Sequence, residues 1–167
     1  IFVTGSLDKK IRRYSIDQDE HIEAIHTQDE ITALAYQPNG KRLIIGFRTT
    51  GLCAVYQSDD LGRLNYVTKL NCKNRRGAFA NGSKVTGISF LNQKEVLITT
   101  SDSRLRLFNL DDVIQKVKFK GFKGEHLLLR SSFNNGNTRI TLGSEDGSVY
   151  LWDIDRVGNN LFREAKQ

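Results

Sequence analysis

Apolar and polar residues alternate along most of this chain in short runs, separated by clusters of turn-forming residues. The clearest case is residues 143–154, GSEDGSVYLWDI, where alternation on both sides flanks Asp146-Gly147, a dipeptide that bends two strands into a hairpin. Weaker copies lie upstream. Residues 2–16 turn at Asp8, residues 43–56 turn at Thr50 with one extra residue, and residues 97–110 turn at Asp102. Inner strands are expected before the last three hairpins, over 31–36, 85–90 and 128–133, and outer strands over 21–25, 65–70 and 116–120. A short polar link, 17–20, follows the first hairpin. Helix-period segments are scarce, so the pattern predicts an all-β chain.

Aligned on Tyr14, Tyr56, Phe108 and Trp152, the units repeat at spacings of 42, 52 and 44 residues. Four strands in roughly 40–45 residues is the repeat of a β-propeller blade. The predicted fold is therefore a propeller of four-stranded antiparallel sheets, with the chain covering about half of a ring. The expected divisions are a blade part at 1–26, a blade at 27–70, an insertion at 71–84, a blade at 85–121 and an incomplete blade at 122–167. The larger middle spacing locates the insertion. Because Ile1 falls inside a strand-like pattern, the sequence reads as an excerpt of a longer chain.

Trp152-Asp153 is a literal Trp-Asp dipeptide, preceded at matching distances by Ser144 and Asp146, and Ser6/Asp8 and Thr100/Asp102 occupy the same two places in other units. In these features the chain resembles WD-repeat proteins. The resemblance implies a hydrogen-bonded network inside each blade, formed by the turn Asp, the strand Ser or Thr, the Trp and a His before the inner strand. Here that network would comprise Ser6, Asp8, Thr100, Asp102, Ser144, Asp146 and Trp152. The sequence departs from the pattern where Tyr14, Tyr56 and Phe108 replace Trp, where Thr50 removes a turn Asp, and where only His26 lies near the place of the His. The second unit is expected to lack the network. Arg13 stands where Val55, Leu107 and Leu151 are expected to point inward, and is assigned to a blade edge or a snorkelling side chain. The runs SDSRLRLFNLDD (101–112), KFKGF (118–122), RRG (75–77) and KVTGISF (84–90) are similar to the WD repeat-containing protein 44 family. That resemblance implies a role in membrane trafficking linked to a Rab GTPase, in the cytoplasm or peripherally on endosomal or other internal membranes. It carries over no GTPase-contacting residue.

Composition adds a charge asymmetry. The 167 residues carry a net charge of +6, and between positions 61 and 94 there are seven basic residues and no acidic one. Two cysteines far apart, Cys53 and Cys72, argue for a reducing compartment and against a disulfide framework. No apolar run reaches membrane-spanning length.

Candidate chemistry is sparse. Residues 77–84, GAFANGSK, invert the Lys and hydroxyl order of a phosphate-binding loop and lead into a strand rather than a helix. His21, Glu23 and His26 have a metal-like spacing, but residues five apart on a strand face opposite ways. His126 follows Glu125 without a nucleophile elbow. Cys53 takes the inward place shared by Ile11, Leu105 and Val149, as a small core residue. Asn81-Gly82-Ser83 fits a glycosylation sequon that matters only in a secreted protein. The turn aspartates belong to separate blades and do not converge. We expect no catalytic, cofactor or metal site.

The feature left over is the basic insertion. Lys73, Arg75 and Arg76, with Arg104, are the expected partner-binding residues, and in an up-and-down blade they emerge at the turn end that carries Lys9, Lys10 and Arg48. The chain is thus read as a non-catalytic protein–protein interaction scaffold whose partners include acidic or phosphorylated segments. The rivals are an RNA- or ribosome-associated module and a propeller enzyme. Nucleic acid is disfavoured because Phe79 is the one aromatic residue of the insertion.

Overall fold

The computed structural model describes residues 1–17 and 19–154. One residue of the 17–20 link and the end of the last expected blade, 155–167, lie outside the described residues. The described residues hold fourteen strands and no helix, every pairing being antiparallel. The strands fall into two compact units, 1–85 and 86–167.

In the first unit, β1 (Phe2–Gly5), β2 (Lys10–Tyr14) and β3 (His21–His26) form a three-stranded sheet. β4 (Ile31–Tyr36), β5 (Arg42–Phe47), β6 (Leu52–Ser58) and β7 (Leu64–Asn71) form a four-stranded one in chain order. The hairpin turns close through residues in the left-handed region, Lys9 (φ 64°) after Asp8 and Gly51 (φ 63°) after Thr50. Ile11 of the first sheet and Ile31, Leu43 and Ile45 of the second share one buried cluster. The two sheets approach this closely because Gly5 has no side chain, as a Cβ there would lie 2.6 Å from Ile31 Cγ2. At Gly46 a Cβ would be tighter still, 2.2 Å from Val85 Cγ1.

Arg13 is neither at an edge nor snorkelling. It is 6% exposed, and its guanidinium reaches its cross-strand neighbour Glu23 at 3.1 Å. A charge so placed is held because its partner faces it in register on β3.

In the second unit, β8 (Val85–Phe90), β9 (Glu95–Thr100), β10 (Arg104–Asn109) and β11 (Ile114–Phe119) form a four-stranded sheet. β12 (Ser132–Phe133), β13 (Arg139–Gly143) and β14 (Val149–Asp153) form a three-stranded one. Their shared core holds Leu105, Leu107, Ile140, Leu142, Tyr150 and Trp152. The inner strand expected over 128–133 is shortened to two residues. By register Gly5 faces Ile11, Gly46 faces Cys53 and Gly143 faces Val149, and the matching position of the third sheet is Thr99, facing Leu105. Its hydroxyl meets Ser131 Oγ at 3.1 Å, and Ser89 Oγ donates to Ser131 O at 2.8 Å. The segment before β12 is thus tied by side-chain bonds to the neighbouring sheet instead of pairing with β13.

Two positions expected to point inward, Val149 and Leu151, are 53% and 36% exposed. Among the described residues nothing lies within 4 Å of a Cβ placed on Gly143.

Each outer strand that is described carries a bulge at the same place. β3 skips Ile22 opposite Arg13/Tyr14, β7 skips Val67 opposite Val55/Tyr56, and β11 skips Lys116 opposite Leu107/Phe108. Exposure of Ile22 and Val67 follows from this local expulsion.

The glycine contacts predict opposite outcomes for one substitution. Gly46→Ala should destabilise the protein by about 1–3 kcal/mol through overpacking, whereas Gly143→Ala should be neutral or stabilising by up to about 1 kcal/mol. Denaturant unfolding of the two variants checks this.

Candidate interaction surface

The basic insertion is tied to the second sheet at both ends. The Cys72 N–H donates to Gly51 O at 2.9 Å, and Gly82 lies against the Thr49-Thr50 peptide so closely that a Cβ on it would be 2.3 Å from Thr49 O. Ser83 is buried beside them. Between these ties, Ala80 N–H donates to Gly77 O and Gly82 N–H to Phe79 O, which folds the excursion back on itself. Lys73 is half-buried with its stem near Gly51, while Arg75 and Arg76 are exposed.

A continuous set of hydrogen bonds joins this loop to the first hairpin. Thr27 N–H donates to Lys9 O, Thr27 Oγ1 donates to Asp29 O, and the Asp29 carboxylate accepts from Thr49 N, Thr49 Oγ1 and Thr50 N at 2.8–3.1 Å. Lys9, Arg48, Lys73, Arg75 and Arg76 therefore belong to one connected end of the first unit. Arg104 lies in the second unit, where its Nη1 donates to Ser103 O at 2.7 Å.

Most arginines of the described residues are neutralised. Arg12, Arg13, Arg48, Arg63, Arg106 and Arg139 pair with Asp8, Glu23, Glu30, Asp59, Asp102 and Asp153. Among the described residues Arg75 and Arg76 hold no ion pair. The acid-free stretch around them supplies none.

Several of the expected network residues are hydrogen-bonded within their own hairpins, and Trp152 is not among them. Ser6 Oγ accepts from Asp8 N–H, and the Asp8 carboxylate accepts from Lys10 N–H and Arg12. Ser144, Asp146 and Ser148 repeat that turn geometry, with Tyr150 OH donating to Asp146 at 2.8 Å. Amide and phenol donors hold the Asp146 carboxyl down at about 2. In the third sheet Thr100 donates to Asp102, and Arg106, fully buried, closes on the same carboxylate at 2.6 Å. Burial pushes Asp102 up, but the bonds from Arg106 and Thr100 outweigh it and leave the carboxyl below its ordinary value. Trp152 stands apart from these polar bonds. It enters through its ring, stacked on Tyr150 at 5.8 Å and tilted against Phe119 at 5.8 Å.

Three contributors were missed from the sequence. Arg12, Arg106 and Tyr150 each stand four residues after a turn Asp, a spacing that signals the partner once it is sought. Asp29 has no such local signal, because it serves a turn 20 residues away. It supplies a carboxylate to the β5–β6 turn, where Thr50 stands in place of the turn Asp. Its own carboxyl is raised by burial but lowered further by the Thr49, Thr50 and Glu30 donors.

The other candidates have plain placements. Cys53 and Cys72 are buried and in no disulfide, and His21 and His26 are exposed on β3. Lys84 leads into β8, a strand, as expected of a loop that does not cradle phosphate. Among the described residues no group of three or more His, Cys, Asp or Glu is placed to hold a metal ion, and no helix is long and apolar enough to cross a membrane.

Residues 122–153 match the family model described as WD domain, G-beta repeat. Over those residues the chain carries a WD repeat. It is 35% identical to WD repeat-containing protein 44 of Xenopus laevis over 90% of its own length and 17% of that protein. It is 26% identical to an uncharacterized WD repeat-containing protein of Schizosaccharomyces pombe over 92% of the chain and 27% of the relative. With WD repeat-containing protein 82 of Drosophila melanogaster it shares 27% identity over 96% of the chain and 48% of the relative. The chain thus spans less than half the length of each. The repeat match covers the fourth unit, including Ser144, Asp146 and Trp152.

The buried pair gives a stability prediction. Asp102→Asn should cost about 3–5 kcal/mol by stranding the Arg106 charge, and Arg106→Met in the same background should recover part of it. Because the Asp102 carboxyl is lowered by folding, its contribution is complete above its unfolded value and is lost as pH falls through the lower folded value. Acid unfolding curves should therefore be shallower below about pH 4 in the double variant than in the wild type.

Proposed function

We propose that this WD-repeat chain is part of a non-catalytic protein–protein interaction scaffold, and that Lys73, Arg75 and Arg76 dock an acidic or phosphorylated segment of a partner. The observation that carries this is the contrast in charge pairing. Six arginines of the described residues are matched by carboxylates, whereas Arg75 and Arg76 hold no ion pair among them and sit on a loop whose two ends are fixed to the β5–β6 turn. A fixed loop loses little conformational entropy on binding, and an unmatched guanidinium recognises carboxylate or phosphate by two parallel hydrogen bonds. Arg104 is a second basic contact within this reading.

The divisions 1–26, 27–70, 71–84, 85–121 and 122–167, as blade part, blade, insertion, blade and incomplete blade, belong to the same proposal. So does the process. The similarity to WD repeat-containing protein 44 supports a role in membrane trafficking around a Rab GTPase, in the cytoplasm or at the surface of internal membranes.

The test is fluorescence anisotropy of the full-length protein with a labelled acidic phosphopeptide and a labelled single-stranded RNA at low and physiological salt. Arg75→Glu/Arg76→Glu should weaken the phosphopeptide about tenfold or more while leaving thermal unfolding unchanged. Unaltered peptide affinity would return the insertion to a solvated loop. Tighter binding of RNA, falling steeply with salt, would favour the RNA-associated reading.

A further inference from the structure

Asn-Gly occurs three times, at 39–40, 81–82 and 135–136, each time in a turn. An asparagine followed by glycine is chemically labile. The glycine amide nitrogen can attack the side-chain carboxamide carbon, because a following residue without a Cβ leaves the approach open. That nitrogen must be free to turn toward the side chain, so a hydrogen bond that holds it protects the pair. By sequence alone the three pairs are alike.

The structure separates them by their place within the turn. In the β4–β5 turn Asn39 is the third residue and Gly40 the fourth, and Gly40 N–H donates to Gln37 O at 2.8 Å. The Asn39 side chain is engaged as well, its Oδ1 accepting Lys41 N–H at 2.9 Å. In the insertion the glycine is again fourth. Gly82 N–H donates to Phe79 O at 3.3 Å, and the residue packs on the Thr49-Thr50 peptide.

In the β12–β13 turn the pair stands one place earlier. Asn137 takes the fourth position and donates its N–H to Asn134 O at 2.9 Å, which leaves Gly136 third. Asn135 and Gly136 are exposed, and among the described residues neither Gly136 N–H nor the Asn135 carboxamide has a hydrogen-bond partner. Both flanks of this apex are fixed. Asn134 Oδ1 accepts the Thr138 and Arg139 N–H groups at 2.9 Å, and Asn137 Nδ2 donates to Leu91 O at 2.9 Å, across to the β8–β9 turn.

We propose that Asn135 is a site of spontaneous deamidation, the one Asn-Gly pair at which the folded protein leaves the reaction open. Gly136 N forms a bond to Asn135 Cγ and gives up its proton, and ammonia leaves, closing a cyclic imide. Water then opens the imide at either carbonyl, giving aspartate or isoaspartate at 135 with no oxidant or reductant required. Isoaspartate routes the main chain through Cγ and so adds a backbone carbon to the turn, and either product puts a negative charge at its apex. The longer turn displaces Asn137, whose side chain ties this hairpin to the β8–β9 turn. The inference is independent of the scaffold reading.

The test incubates the full-length protein at mildly alkaline pH, native and in denaturant. Peptide mass spectrometry follows conversion at the three asparagines, and a protein isoaspartyl methyltransferase with labelled S-adenosylmethionine counts isoaspartate. In the native protein Asn135 should convert about fivefold or more faster than Asn39 and Asn81, whose glycine amides must first leave a hydrogen bond. In denaturant the three rates should converge. Gly136 lies outside the left-handed region, and a Cβ on it would meet nothing closer than 3.8 Å. Gly136→Ala should therefore leave thermal unfolding unchanged while suppressing conversion at 135. Native conversion at Asn39 or Asn81 as fast as at Asn135, or undiminished conversion in Gly136→Ala, overturns the proposal. A rate difference that persists in denaturant overturns it too, by placing the cause in the flanking residues. So does a native Asn135 that stays intact over an interval in which the denatured chain reacts.

Discussion

A carboxylate that gathers donors at the end of a hairpin is the interaction on which most of this structure depends. Asp8, Asp102 and Asp146 do it from within their own turns, and Asp29 does it across two strands of the second sheet. Each fixes a turn whose closing residue lies in the left-handed region, at Lys9, Ser103, Gly147 and Gly51. Two of the four closing residues are not glycine, so the turn is favoured by the hydrogen bonds rather than by backbone freedom alone. Where the turn is fixed, the loop that crosses it is fixed as well. Gly82 rests on the Thr49-Thr50 peptide, and Lys123 rests on Ser144.

The architecture was legible because period-two alternation and turn chemistry recur in register, and these are local properties. The strand 85–90, the hairpins and the outer strands all appear near their expected positions. What was not legible depends on contacts between segments distant in sequence. Asp29 replaces the absent turn carboxylate from 20 residues away. Arg13 has the pattern of a misplaced charge until Glu23 is seen opposite it. The strand expected over 128–133 carries a sound alternating pattern, yet Thr99 in place of glycine turns Ser131 toward a hydroxyl contact and shortens it. Val149 obeys the alternation, and its exposure is set by what covers the sheet, which alternation does not encode.

The candidate surfaces were only partly legible for a related reason. Net charge singled out Lys73, Arg75 and Arg76, because a run without acidic residues can be counted. It could not distinguish them from Arg12, Arg48 or Arg63, whose charges are matched in space. Leu128 was read as the start of an inner strand, and the loop that precedes it is held by bonds to Glu145 and Ser144 that have no sequence signature.

The repeated bulge in the outer strands bears on how an outer sheet edge meets other extended segments. A strand at the rim of a sheet offers a row of free amides and carbonyls to any passing extended segment. Here the expelled residues, Ile22, Val67 and Lys116, interrupt that row at its middle. An incoming strand would find no uninterrupted register long enough to zip along. Each of these three outer strands is thereby a poor template for an added strand.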